Sequence, residues 1–231
     1  SFHFQSATPF APDLDLVDGF RGAGIGRAIL AYNSANVFAD GCHESRNAGL
    51  TGYGRRLIAR MDAAGMVVDV SHCGVRTSFD AMEADLSHPP IFSHSNARAL
   101  FDHERNITDA QIKVILERDG VLGASFDISM VRPGWLFASW NNLTYEKPVM
   151  MREIVDHIDH ICQLAGSSRH CALGTDLDGG FGREQSPFDL DTIADLQKMA
   201  GLLAGRGYSP ADIEGILHGN WLRFLRALWP A

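Results

Sequence analysis

A chain of 231 residues with 45% hydrophobic and 21% charged residues has the composition of an ordinary globular protein, long enough to bury a substantial core in one domain spanning 1–231. Its net charge of −8 comes without basic clusters, which argues against a phosphate-backbone partner, so no nucleic acid is expected. No apolar run approaches the ~20 residues that cross a bilayer, so no transmembrane segment is expected in this chain.

The chain opens at Ser1 with SFHFQSA, without an initiator methionine, a charged leader or a signal-like apolar run. It is therefore expected to be a cut or processed piece, and its N-terminus carries no reading of localisation. Phe2, His3 and Phe4 make a strand-like piece ending near Gln5, and Pro9, Pro12 and the acidic stretch from Asp13 to Asp18 lead into a short helix ending by Gly22. Arg27 to Tyr32 is again strand-like. The polar segment from Asn33 to Asn47 has no periodicity and is expected to be a long, functional βα loop. Thr51 is placed to cap a helix carrying Leu57, Ile58 and Met61 that stops at Gly65. The run MVVDVS then reads as a buried strand closing at His72, followed by a helix around Thr77 to Ala84. A second strand over 90–93 closes at His94, a loop runs to Asn106, and Thr108 caps a helix with Ile112, Ile115 and Leu116 that Gly120 ends. Strand 121–126 follows.

The irregular stretch from Asp127 to Pro148, with Pro133, Trp135, Trp140, Asn141 and Asn142, is a candidate lid. Ile154, Val155, Ile158, Ile161 and Leu164 give the stretch from Met150 to Ala165 an amphipathic helical period. Strand 170–175 ends at Asp176, a helix is expected over 190–204, and Ser209-Pro210 starts a pair of helices ending near Trp229. Six strands, five of them followed by a helix, suit parallel βα units. The expected fold is α/β, a (β/α)8 TIM-type barrel lacking roughly its first two β/α units. An open doubly wound sheet is the runner-up, though no G-x-G-x-x-G or P-loop follows any strand.

Two short apolar runs that each end in Ser-His organise the chemistry. Histidines at the ends of successive parallel strands would lie side by side at the rim where barrels act, and neutral imidazole is a preferred zinc ligand, so His72 and His94 are candidate metal ligands. The plain alternative is that each caps its strand and bonds a neighbouring loop. His43, His88, His103, His157, His160, His170 and His218 have no matched placement and are not candidates. Cys42, Cys73, Cys162 and Cys171 show no C-x-x-C spacing and are expected to be free thiols. Cys73 follows His72, but strand alternation turns the two side chains apart, against a nucleophilic role. Asp176, in GTDLDGG, stands at a strand end where a carboxylate can orient a ligand or move a proton, whereas Asp178-Gly179 reads equally as a turn. Arg105 is placed to clamp a carboxylate or simply to be solvated.

The segments YNSAN, GLTGYGRRLI, GMVVDVSH, PPIFSHSNAR, HERNITD and GTDLDGG, in this order, resemble the membrane dipeptidase (renal dipeptidase) family of zinc peptidases, over Gln5 to about Trp229. The resemblance implies a (β/α)8 barrel with a two-zinc site that hydrolyses dipeptides, including ones with a D-residue on the C-terminal side, by a metal-bound hydroxide. It makes His72 and His94 ligands of one Zn2+, Arg105 the holder of the substrate carboxylate, and Asp176 the catalytic group that contacts the substrate amine and handles protons. Tyr32 falls where the family has a substrate-binding histidine. Gln5 falls where it has the glutamate bridging two zincs, and the H-x-D pair of its first strand has no counterpart. A neutral amide is a poor bridge between dications, so one tightly held ion and a weak second are expected. The implied partner is a small dipeptide, with a homodimer as the assembly to test. Two other readings fit these residues: a related barrel amidohydrolase acting on another small amide, and a non-catalytic ligand-binding barrel that has lost its metal centre.

Overall fold

Apart from the partly exposed Phe2–Phe4, the parallel strands of this protein are short runs rich in small and aliphatic residues and largely buried on both faces. The computed structural model describes residues 2–134 and 148–229. In chain order it contains β1 (Phe2–Phe4), α1 (Leu16–Gly22), β2 (Ile25–Ile29), α2 (Gly52–Ala63), β3 (Val67–Asp69), α3 (Val75–Met82) and α4 (Asp109–Glu117). These are followed by β4 (Leu122–Ala124), α5 (Met151–Ala165), β5 (Cys171–Leu173), α6 (Lys198–Gly205), α7 (Pro210–Glu214) and α8 (Asn220–Leu228). The chain divides into two compact units, one of Ser1–Ser93, Val114–Gly120 and Leu225–Ala231, the other of His94–Lys113 and Val121–Phe224.

In the first unit β1, β2 and β3 form a three-stranded parallel sheet in that order. Its register sets Ala28 opposite Val68 and Ile29 opposite Asp69. Phe4, Phe10 and Phe20 pack edge to face, with ring centroids 4.9–5.9 Å apart. Thr51 caps α2 by accepting from the Gly54 amide at 2.9 Å, and beyond the helix Gly65 takes the left-handed conformation, φ 67°. The strand expected over 90–93 is reduced to isolated bridge residues at 91 and 92, Asp69 pairing in parallel with Ile91, with the Ile91 amide donating to Val68 and the Val70 amide to Ile91. Proline at 89 and 90 removes the amides that would have extended the ladder.

In the second unit β4 and β5 pair in parallel, Gly123 opposite Ala172. Helix α5 buries Ile154, Val155, Ile158 and Ile161, as its period predicts. The helix expected over 190–204 begins later. Asp195 Oδ2 accepts from the amides of Asp191 and Thr192 at 2.9 and 2.8 Å, so those residues cap rather than join a 3-10 turn, Ile193–Gln197, which leads into α6. Ser209 caps α7 with Pro210 in its first turn, and a π-helical turn, Gly215–Gly219, precedes α8.

The architecture is α/β. Among the described residues the strands make two sheets, and no closed barrel is present. The expected lid residues Trp135, Trp140, Asn141 and Asn142 lie outside the described residues. No described helix is long and apolar enough to cross a membrane.

Candidate metal and substrate site

In the first unit His72 lies three residues beyond β3, buried, with a left-handed backbone at φ 64°. A non-glycine residue there is strained by about 1–3 kcal/mol and is held only by its surroundings. Those surroundings are the expected βα loop. His72 Nδ1 is 2.7 Å from Asn33 Oδ1, its ring stacks on Tyr32 with centroids 3.9 Å apart, and its carbonyl accepts from the Cys42 amide at 2.8 Å. Asn33 is also left-handed, φ 58°, and its Oδ1 takes a second donor, Cys42 Sγ at 3.4 Å. An acceptor at Nδ1 keeps the proton on that nitrogen and leaves the Nε2 lone pair for a ligand. The loop can approach this closely because residue 41 is glycine: a Cβ there would lie 2.1 Å from the Asn33 carbonyl carbon.

Behind His72 sits Asp69, fully buried at the end of β3. Its Oδ1 accepts from the amides of Ser71 at 3.0 Å and Ser93 at 3.3 Å, while Arg27 Nε lies 4.0 Å from Oδ2 and the two serine hydroxyls meet at 3.2 Å. One carboxylate thus ties Ser71 to Ser93. Asp69 and Asn33 were not singled out from sequence. The only signal for Asp69 was an acid inside an apolar run, which a buried strand tolerates when its oxygens are bonded. Cys73 is inert, because burial pushes its thiol up to about 12.

The second unit gathers His94, Arg105 and Asp176. His94 is buried, and the segment after it is tied to the end of β4 by paired bonds between Asn96 and the Ser125 backbone at 3.0 and 3.1 Å. Arg105 is also buried and directs Nη2 to the His94 carbonyl at 3.5 Å. Asp176 follows β5 with φ 59°, and its carbonyl accepts from the Gly179 amide at 2.8 Å, so the turn over 176–179 and the strand-end position both hold. A Cβ at residue 179 would be 2.5 Å from Asp176 Oδ1.

His94 Nε2 stands 3.7 Å from Asp176 Oδ2. That is too long for a hydrogen bond. Two ligand atoms on one tetrahedral zinc lie about 3.3–3.6 Å apart, given metal–ligand bonds near 2.0–2.2 Å, so the pair fits a shared metal ion. Gln5, half-buried just past β1, offers an amide and no charge. His157 is structural: it accepts from the Ala97 amide through Nδ1 and donates to the Val131 carbonyl through Nε2, both at 3.1 Å, and burial holds its ring neutral down to about 4.

A family model described as membrane dipeptidase (peptidase family M19) matches residues 3–229. An uncharacterized dipeptidase of Schizosaccharomyces pombe is 32% identical over 206 residues, 88% of this chain and 47% of its own length. Dipeptidase aclJ of Aspergillus oryzae is 30% identical over 204 residues, 87% of this chain and 45% of its own. The chain spans about half the length of these two curated relatives. Among solved structures, a metallopeptidase from Rhodobacter sphaeroides liganded with a phosphinate mimic of the dipeptide L-Ala-D-Ala is similar, with a TM-score of 0.83 and 26% identity, covering 98% of this chain and 62% of that one.

Proposed function

Because the chain belongs to the membrane dipeptidase family, we propose that it is a metal-dependent dipeptidase acting through one domain built on the (β/α)8 barrel plan. The observation that carries the reading is the 3.7 Å spacing of His94 Nε2 and Asp176 Oδ2. Zinc suits the donors: His72 and His94 would hold it through imidazole nitrogens, with Asp176 close enough to assist. When bound, the ion would supply a water acidic enough to ionise near neutral pH and would polarise the scissile carbonyl.

The chain's own groups do the rest. Arg105, seated against the His94 carbonyl, would receive the C-terminal carboxylate of a dipeptide with its forked N–H groups. Asp176 would bind the substrate's ammonium group and hand a proton to the leaving amine. Tyr32, 40% exposed and stacked on His72, would face the substrate at the position that the family resemblance gives to a substrate-binding histidine. Gln5 would leave a second ion weakly held.

The test is a dipeptide panel, L-Ala-D-Ala included, offered to the protein in its full natural length with zinc supplied. Hydrolysis that a chelator abolishes and zinc restores is expected, as is its loss in His94→Ala. No turnover of any dipeptide would overturn the reading in favour of a ligand-binding role. Size-exclusion chromatography with light scattering tests the homodimer.

A further inference from the structure

A cavity of about 440 Å³ in the second unit is walled by Thr175, Leu177 and Asp178, which flank Asp176 in the chain, and by Phe181, Leu190 and Ile193 from the loop that follows. Its volume falls within the about 300–1,000 Å³ of small-molecule sites. None of these residues has a part in the proposed hydrolysis. Leu190 is buried and Ile193 is 75% exposed, so apolar surface reaches from a buried wall of the cavity to an open rim.

The loop is held in this form by its own bonds. Beyond the turn over 176–179, the Gln185 amide and Ser186 Oγ both donate to the Gly182 carbonyl, at 3.1 and 3.0 Å, and the Leu190 amide donates to the Pro187 carbonyl at 2.9 Å. The loop is also pinned to the start of α5. The Phe188 amide donates to the Val149 carbonyl at 2.8 Å, and Asp189 Oδ1 accepts from the Met151 amide at 2.8 Å. The cavity is therefore preformed, and a group entering it has little chain to order.

We propose that this cavity receives the side chain of the substrate's N-terminal residue and selects a bulky apolar one. The inference rests on the reading that Asp176 holds the substrate ammonium. An ammonium on that carboxylate lies about 2.8 Å from an oxygen, and two further bonds of about 1.5 Å each reach the first side-chain carbon, which therefore starts within about 6 Å of Asp176. Consecutive Cα atoms are about 3.8 Å apart, so residues 175 and 177 stand within that reach. Leu177, Phe181, Leu190 and Ile193 then favour a side chain that leaves water with them. Charge points the same way. Arg183 pairs with Asp191 at 2.9 Å, both more than half exposed, which leaves Asp178 to set the sign of the described wall, against an acidic side chain.

The experiment offers Leu-D-Ala, Gly-D-Ala and Asp-D-Ala to the full natural protein supplied with zinc. Leu-D-Ala is expected to exceed Gly-D-Ala in kcat/KM by about 10-fold or more, as burial of a leucine side chain implies, and Asp-D-Ala to be the poorest of the three. Ile193→Ser should compress the Leu-to-Gly ratio several-fold. The ratio is taken within one preparation, so a loss of folded or metal-loaded protein does not move it. Phe188→Ser is the control, because Phe188 is 40% exposed in the same loop but is not a residue of the cavity wall, and the ratio should hold. Titration calorimetry with leucine amide and glycine amide, which carry the ammonium but no second residue, reads the cavity without turnover. Leucine amide should bind about 10-fold tighter or more. Equal kcat/KM for Leu-D-Ala and Gly-D-Ala would overturn the cavity's role and leave the dipeptidase reading standing. Were no dipeptide cleaved, that reading would fall and the amides would decide alone: equal affinities would overturn the cavity's role, and a leucine preference lost in Ile193→Ser would uphold it.

Discussion

The contact between Asn33 and His72 carries the clearest consequence at the scale of single residues. The side-chain oxygen 2.7 Å from Nδ1 selects the tautomer that presents Nε2, and the Tyr32 ring fixes the plane of the imidazole. Asn33→Leu keeps the volume and removes the acceptor, so metal affinity should fall about 10–100-fold, as read by competition against a chromogenic chelator. Unchanged affinity would show that Asn33 does not orient the ligand. His157 makes a prediction about pH. Its folded value, about 4, lies below its ordinary 6.5, so the unfolded chain binds the extra proton first as pH falls. Its contribution to stability is therefore complete above pH 6.5 and drains away between there and about 4, by up to about 3 kcal/mol. Urea unfolding across that window should show the loss, and His157→Gln should flatten it. An equal slope in the variant would place the acid sensitivity elsewhere.

At the scale of elements, the loop over 33–47 behaves as part of the site because glycine at 41 lets two stretches of backbone touch. Gly41→Ala would press a methyl group into the Asn33 carbonyl, and a fixed backbone cannot yield as a flexible side-chain tip would. A loss of about 1–3 kcal/mol in denaturant midpoint analysis is expected, together with weakened metal binding as Asn33 is displaced. Stability at the level of the unmutated chain would mean that the loop relaxes without cost. The period of α5, the Thr51 cap of α2 and the Ser209-Pro210 start of α7 were legible in the sequence, because each depends on residues within a turn or two of one another. The late start beyond residue 190 depends on Asp195 reaching back to two amides, and the curtailed strand over 90–93 on two prolines. In both, a local hydrogen-bonding detail outweighs the apolar pattern.

At the scale of the whole molecule the proposed metal site makes a prediction about stoichiometry. A carboxylate shared by two zinc ions offsets their repulsion, and Gln5 brings only a dipole. Metal analysis of the full natural protein should find one tightly bound ion per chain, rising towards two in Gln5→Glu. Two tightly held ions without the substitution would show that the amide is no obstacle. The sequence by itself determined that this is an α/β protein with parallel strands, that His72 and Asp176 stand just past strand ends, and that the ordered motifs are those of the membrane dipeptidase family, since strand period, turn residues and motif order are properties of neighbouring positions. Only the tertiary structure decided that Asn33 meets His72 across 39 positions and that one buried carboxylate on Asp69 ties Ser71 to Ser93. Those contacts join residues whose separation in the chain follows no period, and their partners are chosen by burial, which makes an unmet hydrogen bond costly wherever along the sequence its partner lies.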